Sequence, residues 1–215
     1  MYKIDWESYL STDRKRTPES NVGKNKPVNS YDFRNEFESD FGRVVFCSAA
    51  RRMHDKTQVF PLTSGDYVHT RLTHSIEVLN IAQSLGSSLC RNEQFVTTYG
   101  KEQSFELEKK IVAVLRTAAF MHDIGNPPFG HYGEETIKQY FKENGSKYLK
   151  GTEETDKMLL DFCEFDGNAE GFRIITKTQF LGDLVGLNLT YATLGAYLKY
   201  PNIGHGEEKN VGAGE

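Results

Sequence analysis

No apolar run in this sequence approaches the roughly 20 residues a helix needs to cross a bilayer, and the mean hydropathy is −0.56. The first residues, Met1-Tyr-Lys-Ile-Asp-Trp-Glu7, lack the basic-then-apolar pattern of a signal segment. Cysteine is scarce. Cys47, Cys90 and Cys163 are scattered, odd in number and without CxxC spacing. That argues against a disulfide framework or a thiolate zinc site and fits a reducing cytoplasm, the expected location. Neither sign of charge dominates: 26 Lys+Arg against 30 Asp+Glu leave −4, so nothing pushes the chain toward nucleic acid or membrane. Period-two alternation is rare, which leaves little room for sheet and points to an all-α fold. There is no internal repeat and no long low-complexity tract.

What is present is a polar chain of 215 residues with 14 Phe and 11 Tyr, enough for a sizeable core. Residues 1–35 form a lead-in, extended and rich in Ser, Lys, Asn and Pro from residue 11 on. Phe41, Val44, Val45, Phe46, Ala49, Ala50 and Met53 fall at near-helical spacing, which predicts one buried helix over 36–53. Residues 57–68, punctuated by Pro61 and Gly65, read as a loop or short hairpin. A helix from about Thr70 follows, with Leu72, Ile76, Leu79, Ala82 and Leu89 on one face and Gly86 loosening its later turns. Residues 90–104 read as a polar connection, 105–122 as a helix, and 142–157 as a charged loop. Single helices are then expected over 158–177 and 190–199, ended by Pro201. One domain over 36–201 and a disordered, glycine-rich tail over 202–215 complete the expectation.

The chemistry concentrates in residues 122–134, His-Asp-Ile-Gly-Asn-Pro-Pro-Phe-Gly-His-Tyr-Gly-Glu. An apolar segment, Ile111 to Met121, precedes them, and Gly125-Asn126-Pro127-Pro128 cannot continue a helix. His122 and Asp123 therefore end a helix, where two adjacent side chains converge on one ion. Arg71-Leu-Thr-His74 lies about 48 residues earlier at the start of another helix. Two packed antiparallel helices bring His74 to His122 and Asp123. Alone, each is a weak signal, since a single histidine beside an apolar face is usually a hydrogen-bonded core residue. Together, imidazole and carboxylate suit Mn²⁺, Fe²⁺, Zn²⁺ or Mg²⁺, and ligand type does not choose among them. His131 and Glu134 stand at i,i+3 and share a helical face. The plain reading of Glu134 is a first-turn acid complementing the helix dipole. The functional one is a dyad in which Glu134 orients His131 for proton transfer. Arg71 on the plain reading is a solvated or salt-bridged side chain at a helix start; the functional reading, one turn before a candidate metal ligand, is a bidentate phosphate clamp.

These residues carry a resemblance. Arg71-Leu-Thr-His74 with His122-Asp123 through His131 and Glu134 resembles the HD-domain superfamily of metal-dependent phosphohydrolases, and within it the match is closer to the bacterial deoxyguanosine triphosphate triphosphohydrolases. Leu10 to Arg14, Arg51-Arg52 through Lys56-Thr-Gln-Val-Phe-Pro-Leu62, Glu164 to Arg173 and Asn188 to Ala196 resemble further segments of that family, in the same order. The resemblance implies an all-α HD fold that hydrolyses dGTP, or other dNTPs, to nucleoside and intact triphosphate. It implies His74, His122 and Asp123 as metal ligands, His131 and Glu134 as the catalytic pair, and Arg71 on the phosphates. Gln58 and Val59 would line the nucleoside pocket and Asn168 would help close it. The implied cofactor is manganese or magnesium, with zinc, iron, cobalt and nickel compatible with the ligands. A homo-oligomer, hexameric by resemblance, and single-stranded DNA are the implied partners besides the dNTP, and no membrane is.

One feature departs from the family pattern. A final metal-binding Asp on a later helix is expected, and Asp161, Asp166 and Asp183 do not stand in its context. Relatives are about twice this length, so the fold is expected to be incomplete at its C-terminus. Two other readings follow. One is an HD phosphohydrolase of another nucleotide, against which residues 57–60 and 164–173 argue. The other is a truncated HD protein that binds nucleotide or metal and regulates a longer homologue. Single-strand binding would rest on Arg14-Lys15-Arg16 and Lys24/Lys26, although short basic runs are usually solvated.

Overall fold

The computed structural model describes residues 3–15, 33–58, 68–179 and 185–199. Within them the chain is helical, and the only strand-like pairings are two isolated bridges, Arg14↔Thr190 and Thr57↔Thr70. The helices are α1 (Trp6–Tyr9), α2 (Glu36–Val45), α3 (Ser48–Arg52), α4 (Arg71–Arg91), α5 (Glu93–Tyr99), α6 (Lys101–Met121), α7 (Gly130–Asn144), α8 (Glu153–Cys163), α9 (Gly167–Arg173) and α10 (Tyr191–Tyr197). None is long and apolar enough to cross a membrane.

The centre of the fold is the α4–α6 pair. On α4 the buried face is Arg71, Ser75, Gly86 and Cys90. Ile76 and Leu89, expected inside, stay 51% and 50% exposed. The physical reason is close approach. Small side chains let the α4 backbone settle on α6, and a Cβ at Gly86 would press on Leu115 and Val112. Gly86 therefore seats the helix instead of loosening it, and α4 runs unbroken to Arg91. The larger apolar side chains are displaced to the flanks. From α6, Ile111, Ala113, Val114, Thr117, Phe120 and Met121 are buried. Met121 joins Val44, Met53, Ile124, Ile175, Leu187 and Leu189 in the main core.

Four helix boundaries differ from the sequence expectation, each for a local reason. The helix expected over 36–53 breaks at Phe46-Cys47, because Cys47 turns extended and its sulfur caps α3 through the Ala50 N–H. Phe46, expected to be buried, is 76% exposed. Residues 90–104 are not a connection. Asn92 caps α5, Phe95 and Tyr99 pack on Trp6, and Gly100 at φ 82° lets α6 restart at Lys101. The loop expected over 142–157 shrinks, since Thr152 and Thr155 form a reciprocal cap that starts α8 at Glu153. The single helix over 158–177 is two helices and a π-turn, because the Asp166 side chain caps a new start at Gly167.

The N-terminal segment is pinned to the core. Arg14 donates to Asp40 Oδ1 at 2.6 Å, to the Asn188 carbonyl at 2.6 Å and to Glu36 Oε2 at 2.7 Å. Asp40, fully buried, also accepts from the Thr190 N–H and hydroxyl. Arg14 is thus committed to the fold and is not free for a nucleic-acid backbone.

Candidate active site

Three elements converge at the C-terminal end of α6. His122 and Asp123 follow its last residue, Met121. His74 sits one turn into α4, whose start is fixed by a reciprocal Thr70–Thr73 cap. The close α4–α6 packing brings the His74 and His122 rings to 5.2 Å between centroids. Ligand atoms of His74, His122 and Asp123 all lie within 4.8 Å of one another. The three predicted metal ligands are therefore together, and among the described residues no further carboxylate joins them.

Hydrogen bonding orients the donors. His122 Nδ1 lies 2.7 Å from the Ala119 carbonyl, which assigns its proton there and leaves Nε2 with a lone pair. Nε2 then faces Asp123 Oδ1 at 3.3 Å. Two acceptors so close repel each other unless a cation lies between them. His74 is held toward its neutral form, first by burial and then by the neighbouring His122. Asp123 Oδ2 accepts from Arg71 at 2.9 Å, and Oδ1 accepts from the Asn126 amide at 2.7 Å. Two imidazoles, that of His74 held toward its neutral form, beside a hydrogen-bonded carboxylate are a donor set that fits a divalent cation.

The predicted dyad stands beside this group at the start of α7. His131 Nδ1 lies 2.8 Å from Glu134 Oε2. Glu134 is nearly buried, and its other oxygen accepts the Gly167 N–H at 2.9 Å. Gly167 permits this, since a Cβ there would strike Glu134 and Asn126. The imidazole itself is fully exposed, so its Nε2 is open to solvent. The turn into α7 places two successive residues in left-handed backbone, Phe129 at φ 68° and Gly130 at φ 55°. Glycine at 130 also clears space beside the Arg71 guanidinium.

The family model for the HD domain matches residues 71–179, the stretch that carries His74, His122, Asp123, His131 and Glu134. The chain belongs to the HD domain family. It is 43% identical over 205 residues to a deoxyguanosinetriphosphate triphosphohydrolase-like protein of Listeria monocytogenes, covering 92% of this chain and 42% of that protein. It is 40% identical over 206 residues to a protein of the same description from Pseudomonas aeruginosa, with the same coverage. It is 32% identical over 227 residues to a deoxyguanosinetriphosphate triphosphohydrolase of an Enterobacter species, covering 93% of this chain and 42% of that protein. The chain thus spans about 42% of the length of the curated relatives it matches.

Around this HD centre the remaining predicted residues are placed unequally. Gln58 is half-buried, its Oε1 has no hydrogen-bond partner, and its backbone N–H donates to the His69 carbonyl at 2.8 Å. Val59 lies outside the described residues. Asn168 is the second residue of α9, half-buried, and its carbonyl accepts from the Tyr197 hydroxyl at 3.5 Å. Two groups escaped the sequence reading. His69 and Glu77 pair at 3.1 Å and form, with His74, a second cluster of metal-type ligands. Lys56 donates to the Asn126 carbonyl at 2.8 Å, directly on the HD loop. The sequence signal for Lys56 is its place in the Arg51-to-Leu62 segment; the Thr57–Thr70 bridge then sets it against Arg71.

Proposed function

We propose that this HD site hydrolyses a deoxynucleoside triphosphate, dGTP first among them, to the nucleoside and intact triphosphate. The observation that carries the reading is the juxtaposition of two different devices. A His74–His122–Asp123 donor set stands beside a His131–Glu134 pair whose free imidazole nitrogen faces outward. The relatives' names add the substrate class.

His74, His122 and Asp123 would hold the cation. When bound, a divalent ion neutralises phosphate oxygens and lowers the pKa of coordinated water toward ~7. The chain's own residues do the rest. Glu134, fixed by the Gly167 N–H, keeps the His131 proton on Nδ1 and aims Nε2 at the substrate. From there His131 either gives up an Nε2 proton to the leaving 5′-oxygen, as an imidazolium that keeps its Nδ1–H on Glu134, or aligns the attacking water through the Nε2 lone pair of the neutral ring. Arg71, anchored by Asp123, stabilises charge on the phosphoryl oxygens. Gln58 brings a buried carbonyl oxygen that a sugar hydroxyl or base N–H would satisfy, and rejection of a substrate lacking that donor follows.

The test is anion-exchange analysis of products from each dNTP with Mn²⁺ or Mg²⁺, beside His122→Ala. Intact triphosphate from dGTP, absent in the variant, is the expected result. Pyrophosphate or stepwise phosphate release overturns the reaction and favours another HD phosphohydrolase. Nucleotide binding without turnover favours the regulatory reading, in which three metal ligands serve binding alone.

A further inference from the structure

Around Asp123 the described residues place more positive charge than one carboxylate balances. Arg71 is only 5% exposed and reaches Asp123 through Nη1. Its Nε is buried without any hydrogen-bond partner. Lys56 lies against it, since the Arg71 N–H donates to the Lys56 carbonyl at 2.8 Å. The half-buried Lys56 ammonium gives one of its three donors to the Asn126 carbonyl at 2.8 Å. Burial first, and then the positive charge of Arg71 and Arg52, push its pKa down, with only Asp123 opposing. Backbone geometry holds this arrangement, because the Thr57↔Thr70 bridge locks 56–58 against 69–71. Holding like charges together in a half-buried place is unfavourable unless an anion joins them.

We propose that Lys56 is a second phosphate-binding cation of this site, acting beside Arg71 on the polyphosphate of the substrate. This rests on the phosphohydrolase reading. Its chemistry is a point charge complementing the planar fork of Arg71. The Asn126 carbonyl fixes the ammonium so that little side-chain freedom is lost on binding.

The experiment is calorimetric titration of the full chain with inorganic tripolyphosphate, and separately with deoxyguanosine, for wild type, Lys56→Gln and Lys56→Arg. Lys56→Gln is expected to weaken tripolyphosphate binding about tenfold or more, the scale of one charge-assisted hydrogen bond. Its deoxyguanosine affinity should stay unchanged, and Lys56→Arg should recover part of the loss. Unchanged tripolyphosphate affinity in Lys56→Gln overturns the proposal, as does an equal loss for both ligands, which would mark Lys56 as structural. Absence of tripolyphosphate binding to wild type overturns it too. Lys56-dependent tripolyphosphate binding in a protein that turns over no dNTP would instead sink the function proposed above and leave this assignment standing.

Discussion

Two Arg–Asp pairs with a buried carboxylate sit in this protein, and they are finished differently. In Arg14–Asp40 both partners are saturated: Arg14 serves two carboxylates and the Asn188 carbonyl, and Asp40 takes two further bonds from Thr190. In Arg71–Asp123 a single 2.9 Å bond joins the pair, the Arg71 Nε has no partner, and Asp123 faces an imidazole lone pair. Buried charge is tolerable only when its hydrogen-bonding capacity is used. The first pair uses it within the chain and ties the N-terminal segment, α2 and α10 into one body. The second holds part of it back, as expected where a cation and an anionic substrate complete the set.

The largest test of that contrast is at the second pair. His122→Ala or Asp123→Asn should abolish the rise in melting temperature that Mn²⁺ gives the wild type, and any turnover with it. A ligand at 100 times its Kd stabilises by about 2.7 kcal/mol, and a variant that cannot bind loses all of that. A metal-induced shift that persists in both variants would remove the donor set from the argument.

At the first pair the effect should appear in stability. Arg14→Ala leaves Asp40 buried and uncompensated, a loss of about 3–5 kcal/mol. That is roughly a 10 °C fall in melting temperature for a domain of this size. Metal-free Asp123→Asn should cost clearly less, because Arg71 has fewer bonds to lose. Equal costs of Arg14→Ala and metal-free Asp123→Asn in chemical denaturation would erase the distinction between a saturated and an unsaturated pair.

The α4–α6 seam links the two regions and is the third target. Gly86→Val places methyl groups against Leu115 and Val112. The expected loss is about 1–3 kcal/mol from overpacking, with a weaker metal-induced melting shift as His74 moves relative to His122. A destabilised variant with unchanged metal affinity would show that the seam's closeness is irrelevant to the site.

The centre was legible in the sequence because its signals are local and chemical: adjacent His122-Asp123, the Pro127-Pro128 stop, the i,i+3 spacing of His131 and Glu134. The α-helical class was legible in the rarity of period-two alternation. What failed were inferences from hydrophobicity alone. Ile76 and Leu89 looked like core, but a seam built from Ser75, Gly86 and Cys90 buries small residues and turns large ones outward. Residues 90–104 looked polar, yet three aromatics and one Asn92 cap suffice for α5. Lys56 stood in a segment that resembles the family but carried no assigned role, because its placement depends on the Thr57↔Thr70 pairing, a non-local contact that no periodicity records.

The smallest expected effect concerns the far end of the same seam. Cys90 is 1% exposed, and burial pushes its thiol up to about 11, with Glu108 adding to the shift. Cys47 is also raised by burial, whereas Cys163 is only half-buried. Native protein at pH 8 should therefore show one fast thiol toward a disulfide reagent, that of Cys163, and three after denaturation. The sign for stability follows from the raised value. An unfolded cysteine ionises near ~8.5, so folding, which keeps Cys90 neutral, loses stability as pH rises from there toward about 11. Cys90→Ala should flatten that alkaline decline of the melting temperature while leaving the Mn²⁺ shift intact. A Cys90 that reacts as fast as Cys163 would mean that the seam opens at this end, and the contrast between a closed scaffold and an unsaturated site would have to be redrawn there.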